Sequence, residues 1–126
     1  MYVIALKTQD IIHLKLEKYR IRFQDSKEGL IKNWPKDYQL NGWLISMKSG
    51  GELNSHMHER GWISGSIYIN VTPKVNSDSG NLVVELGDLK NELCESKNRK
   101  IINVVTGSLC LFPSSLHHYI ILFVSE

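Results

Sequence analysis

The feature that most limits how this chain can fold is a split set of histidines. Ser55-His56-Met57-His58 lies in the middle of the chain and Phe112-Pro113-Ser114-Ser115-Leu116-His117-His118 lies near its end, so four of the five histidines fall in two places. The stretch between them reads as short strands. Residues i and i+2 of a strand share a face. His56 and His58 can therefore point to one side, with Met57 on the other. His117 and His118 are adjacent, so at most one of them joins that side on a regular strand. A β-barrel gathers side chains from distant strands onto one inner face in this way.

The chain divides into an entry segment, residues 1–39, and a strand-rich body, residues 40–126. From Thr8 to Phe23 the apolar residues Ile11, Ile12, Leu14, Leu16, Tyr19 and Phe23 recur at helical spacing. The Leu14-Lys15-Leu16-Glu17 alternation leaves a strand open for part of it. Leu30 to Pro35 ends in a turn, because proline disfavours helix before it. In the body, Trp43–Met47 reads as a strand closed by Ser49-Gly50-Gly51. Leu53–His58, Trp62–Val71 and Leu82–Leu86 follow as further strands. Lys90–Lys100 is polar and reads as exposed. Ile101–Val105 and Leu109–Phe112 flank Thr106-Gly107-Ser108, a hairpin signal. Tyr119–Val124 is a last apolar strand. Many short strands with regular turns indicate a mainly β sandwich or barrel.

Composition narrows the class. A chain of 126 residues with 42% hydrophobic and 22% charged residues suits one soluble domain with a real core. The net charge of +2 is small and its charges are mixed along the chain, so no nucleic-acid footprint is expected. No apolar run reaches the length of a membrane span, and Met1–Leu6 has no basic n-region of a signal peptide. Cys94 and Cys110 lack zinc-site spacing and the density of a disulfide scaffold. Reduced thiols in a cytoplasmic protein are the expectation.

The histidines carry the chemistry. Two imidazoles from one strand and a third from a distant one form a facial set with open positions. Non-haem Fe(II) centres usually build such a set from two histidines and a carboxylate. Here the position two after His56 is histidine. An H-x-H alone is a weak signal, since surface histidines are common. Glu59 reaches the site as a carboxylate ligand only if the strand bulges.

Five motifs in order resemble a known family. They are Asn41-Gly42-Trp43, Gly50-Gly51, His56-x-His58, Ser64-Gly65-Ser66-Ile67-Tyr68, and Phe112-Pro113-Ser114-Ser115-Leu116-x-His118. Together they are similar to the 2-oxoglutarate-Fe(II) oxygenases of a bacterial and phage-associated branch, over about residues 33 to 126. The resemblance implies a double-stranded β-helix, a jelly-roll or cupin-like barrel, with an Fe(II) centre and 2-oxoglutarate as co-substrate. It implies His56, His58 and His118 as the metal ligands, with His117 facing out or lining the rim. Tyr68 matches an aromatic of the motif and either hydrogen-bonds 2-oxoglutarate or packs in the core with a satisfied hydroxyl. Trp43 and Trp62 read as packing, and Gly50, Gly51 and Gly65 as backbone devices.

Members of that family continue into one more strand, whose Arg grips the far carboxylate of 2-oxoglutarate. This sequence has no Arg after Arg99, so it reads as a member lacking the last strand. Open barrel edges invite pairing with another chain, and a homodimer is one expectation. The implied reaction is hydroxylation of an unknown protein or small-molecule substrate. Two other classes stay open. One is a cupin-type metal-binding protein that does not use 2-oxoglutarate. The other is an inactive barrel serving as a binding or assembly module.

Overall fold

The computed structural model describes residues 2–85 and 98–125. Met1–Leu44 and Ile45–Glu126 form two compact units.

The first unit is helical. Helix α1 spans Tyr2–Arg22, starting well before Thr8, where its periodicity begins. Arg20 and Arg22 lie in its last turn, where cations complement the negative end of the helix dipole. Glu17 and Arg20 pair one turn apart on its exposed surface. Leu16 is buried, and Tyr19 stacks near Phe23 and Trp34 with ring centroids 4.9 and 6.3 Å away. A short helix α2, Gly29–Lys32, closes at Asn33 just ahead of Pro35. No described helix is long and apolar enough to cross a membrane.

The second unit is built from strands. They are β1 (Leu53–His56), β2 (Ile63–Ile67), β3 (Leu82–Glu85), β4 (Arg99–Ile102), β5 (Leu109–Pro113) and β6 (His118–Ile120). One sheet has the order β1-β6-β3-β4 and the other pairs β2 with β5, all antiparallel. The chain thus passes from one sheet to the other after β1, returns for β3 and β4, and leaves and returns again for β5 and β6. This crossing sets the last strand beside the first, with His56 opposite His118.

Cross-strand partners share a face. In the larger sheet, one row runs Leu53, Ile120, Leu82, Ile102, and the next runs His56, His118, Val84, Lys100. Leu82 and Val84 join Val104 and Phe112 in the buried core, with Tyr68, Ile102, Cys110 and Leu116 packed against it. In the smaller sheet, Ser64 pairs with Phe112 and Ser66 with Cys110, so these serines share the face that carries Phe112 toward the core. The opposite side of β2 is wet, and Ile67 and Ile69 are exposed. The interior is therefore apolar on one wall and partly hydroxylic on the other.

Three expectations need correction. Trp43–Met47 forms no strand. Ladder bonds begin only at the glycines, where Gly50 N–H donates to Phe123 O at 2.7 Å and Phe123 N–H to Gly51 O at 2.8 Å. Without a ladder partner the preceding segment is irregular, and Trp43 and Leu44 are 70% and 81% exposed. Thr106-Gly107-Ser108 does turn, with Gly107 at φ 89°, but it does not close a hairpin. Gly107 N–H donates to Tyr68 O at 2.7 Å, and Tyr68 N–H donates to Ser108 O at 3.0 Å. The end of β2 captures the turn, so β4 pairs with β3 while β5 pairs with β2. β1, β2 and β6 end sooner than the apolar runs that mark them, β4 starts earlier at Arg99, β5 runs on to Pro113, and His58 lies two residues beyond the end of β1. Of the polar Lys90–Lys100 stretch, residues 90–97 lie outside the described residues, as does Cys94; residues 98–100 are exposed.

Candidate metal centre

The site begins with a tight corner. Past β1, His58 N–H donates to Ser114 O at 3.1 Å, and Gly61 N–H donates to His58 O at 3.0 Å. Ser114 is almost fully buried. Its N–H donates to Trp62 O at 3.2 Å, and its hydroxyl meets that of Ser64 at 2.8 Å. The turn that Pro113 forces after β5 is thereby stitched to the loop that carries His58. Gly61 makes the approach possible, because a Cβ there would collide with the Ser114 side chain.

That corner and the β1–β6 pairing bring His56, His58 and His118 together. One ring nitrogen from each lies within 4.8 Å of the other two. The ring centroids are 4.3 Å apart for His56 and His118, 5.1 Å for His56 and His58, and 5.2 Å for His58 and His118. His118 is only 8% exposed and packs on Phe112 at 4.8 Å between centroids. No carboxylate joins this group among the described residues.

The proton positions follow from the partners. His56 Nδ1 lies 2.8 Å from Asn54 O, and His118 Nδ1 lies 3.2 Å from Leu116 O. A carbonyl oxygen only accepts, so each Nδ1 must carry the proton. Each Nε2 then keeps its lone pair, the form that binds a metal. Burial holds His118 below the usual histidine range, the Leu116 carbonyl opposes that, and charge on His56, His58 and His117 would reinforce it. Neutral imidazole is therefore favoured at the most enclosed position. The donor set fits a borderline divalent metal such as Fe(II), for which imidazole is a suitable ligand.

The remaining sequence candidates separate clearly. His117 is outside the cluster, and its backbone oxygen accepts from Glu85 N–H at 2.8 Å. Glu59 is exposed and also outside it. Tyr68 packs against the core, but its hydroxyl is buried with no hydrogen-bond partner among the described residues. The expectation of a satisfied core hydroxyl therefore does not hold. Burial pushes the phenol up to about 12; nearby Cys110 adds to the shift, and Ser66 opposes it without meeting hydrogen-bond geometry. Such a group stays protonated and remains a donor in want of an acceptor. Glu85 also has a buried oxygen with no partner among the described residues, but it follows Val84 on β3 and so points away from the histidine row.

Sequence reading missed Ser114 and Gly61. Pro113-Ser114-Ser115 signalled a break in the chain, but nothing local indicated that Ser114 would anchor the backbone of a histidine from the other half of the unit.

No curated protein matches the chain, and no solved structure matches it. A family model described as "Putative 2OG-Fe(II) oxygenase" matches residues 41–126, well over half of the chain and all of the histidine cluster. The chain belongs to this family of 2OG-Fe(II) oxygenases.

Proposed function

We propose that the protein is an Fe(II)- and 2-oxoglutarate-dependent hydroxylase, with iron held by His56, His58 and His118. The observation that carries this reading is the convergence of three ring nitrogens within 4.8 Å, two of the rings fixed by backbone carbonyls so that Nε2 is presented. In a double-stranded β-helix the two sheets are the two walls around such a centre, and the alternation of strands between them supports that architecture.

Bound iron with 2-oxoglutarate supplies activation of O2, one oxygen atom leaving in succinate as CO2 is lost and the other entering a substrate C–H bond. The chain's own residues prepare the place for it. His56 and His118 arrive oriented, so little side-chain freedom is lost on metal binding. Phe112 and the core residues Val84 and Leu82 back the centre and exclude water from that side. Tyr68 offers its phenolic proton to an oxygen of the co-substrate, which would relieve its unpaired hydroxyl. Neutral imidazoles of His56, His58 and His118 would leave a bound divalent cation's charge to be balanced by an anionic oxo-acid.

The test is an anaerobic titration of 2-oxoglutarate into Fe(II)-loaded protein, read as a visible metal-to-ligand charge-transfer band. The band is expected with both present and absent in His56→Ala. A second reading is favoured by one observation, that no carboxylate joins the cluster among the described residues: a three-histidine centre that binds metal and does not use 2-oxoglutarate. Stoichiometric Fe(II) with no band at saturating 2-oxoglutarate would establish that reading instead.

A further inference from the structure

The larger sheet has a second side. Asn103 lies between Ile102 and Val104, both of which pack at the core. On extended backbone its side chain therefore stands on the opposite side, as does that of Ile101. The register of Leu82 to Ile102 sets Asn81 beside Asn103, and Asn81 is only 2% exposed. With the loop from Val71 to Asp78 these residues line an open cavity of about 910 Å³, within the size range of small-ligand sites. None of the three clustered histidines lines it. The loop is pinned at both ends of its first turn. Val71 N–H donates to Thr106 Oγ1 at 2.9 Å, and Lys74 bridges Ser125 in an antiparallel pair.

Lys74 is half-buried in this cavity, and its ammonium donates to Asn81 Oδ1 and, at 3.3 Å, to Asn103 Oδ1. Asn81 is itself locked in place. The same oxygen accepts Val104 N–H at 3.2 Å, and Nδ2 donates to Ser77 O at 2.9 Å. An ammonium has three donors, so one N–H remains for a ligand after two are spent on this frame. Burial lowers the Lys74 pKa and Asp78 opposes that; a cation partly withdrawn from water gains from an incoming anion. Asp78 lines the same cavity, yet its carboxylate makes no ion pair with Lys74 and no hydrogen bond among the described residues. A cation and an anion thus share one space without closing on each other. The wall also holds Val71, Ile101 and Val105, the last two half exposed. Held-apart opposite charges on a partly apolar wall are complementary to a ligand that carries both charges on an apolar body.

We infer that this cavity is a second ligand site, on the side of the sheet away from the histidines, and that it takes a zwitterion with an apolar body, a short aliphatic peptide. The ligand's carboxylate meets Lys74, its ammonium meets Asp78, and its side chains lie against Ile101 and Val105. The site stands independently of the hydroxylase reading, since it shares no residue with the histidine cluster. Its test is isothermal titration calorimetry of the whole chain with leucyl-leucine, with N-acetyl-leucyl-leucine, which lacks the ammonium, and with leucyl-leucine amide, which lacks the carboxylate. Wild type is expected to bind leucyl-leucine more tightly than either blocked form. Lys74→Met is expected to weaken leucyl-leucine about 10-fold, the order of one charge-assisted bond, and to leave the amide unchanged. Asp78→Asn is expected to weaken it about 2- to 5-fold, the upper range of an exposed ion pair, and to leave the acetylated peptide unchanged. Lys74 also braces Asn81, so thermal melting of Lys74→Met is read alongside; Asp78 is exposed, and Asp78→Asn decides the matter if Lys74→Met melts early. No binding of leucyl-leucine by wild type, or equal affinity for all three peptides, would overturn the site. Wild-type affinity of Asp78→Asn for leucyl-leucine would overturn the assignment of a zwitterion.

Discussion

His56 and His118 each commit one ring nitrogen to a backbone carbonyl, and that commitment decides what the other nitrogen can do. Both bonds are local, to residues two positions earlier in the chain, so each imidazole is oriented by its own strand entry rather than by a distant partner. The sequence shows the histidines but not these carbonyls, because a loop's backbone geometry leaves no trace in residue identity. Tyr68 was visible as a candidate and ambiguous in role; its buried, unpartnered hydroxyl is a property of packing that only the fold displays. Its protonation has a measurable consequence. An unperturbed phenol titrates near pH 10, whereas burial pushes Tyr68 up to about 12. Between those values the unfolded chain has released a proton that the native protein still holds. Stability from this group is therefore complete below about pH 10 and falls as pH rises toward 12. Urea unfolding at pH 9, 10 and 11 is expected to show a steeper decline for wild type than for Tyr68→Phe. Parallel curves would show that the phenol is not held protonated.

At the scale of elements, the corner formed by Gly61, His58 and Ser114 does more for the site than any single strand. A Cβ at residue 61 would drive into the Ser114 side chain, and Ser114 O is the acceptor for His58 N–H. Gly61→Ala is expected to cost about 1–3 kcal/mol of stability, the usual range for forced overpacking, and to weaken Fe(II) binding by displacing His58. Thermal melts and metal titration of the variant check this, and wild-type values in both would show that the corner has slack. The strands around that corner were legible where β-branched and aliphatic residues clustered, as in Leu82–Glu85. Their faces were less so. In β2 Ser64 and Ser66 alternate with Ile63 and Ile67, and it is the serines that share a face with Phe112, while Ile67 is exposed. That inner wall departs from the simple pattern, and on it the Ser64 hydroxyl meets that of Ser114 at 2.8 Å. Trp43–Met47 has strand composition and no ladder partner, and composition alone does not supply one. The turn at Gly107 was read correctly as a turn and wrongly as a hairpin, since its partners, Tyr68 and the end of β2, lie far back in the chain.

At the scale of the whole molecule, the centre exists only because the topology returns β6 to the side of β1. Its three histidines come from the two ends of the second unit, so the cluster assembles with the tertiary fold and cannot be preformed in either segment. Metal binding there would be linked to folding, and a metal at 100 times its dissociation constant would add about 2.7 kcal/mol to stability. The motif order made the family legible, and the match over residues 41–126 bears this out. The measurement that bears most directly on the central claim is anaerobic Fe(II) binding by equilibrium dialysis, on wild type and on His118→Ala. Wild type is expected to bind one Fe(II) per chain, and His118→Ala to lose more affinity than the roughly 10- to 100-fold typical of disturbing a group behind a ligand. Absence of Fe(II) binding by wild type, or equal binding by His118→Ala, would contradict the assignment of the three histidines as a metal centre.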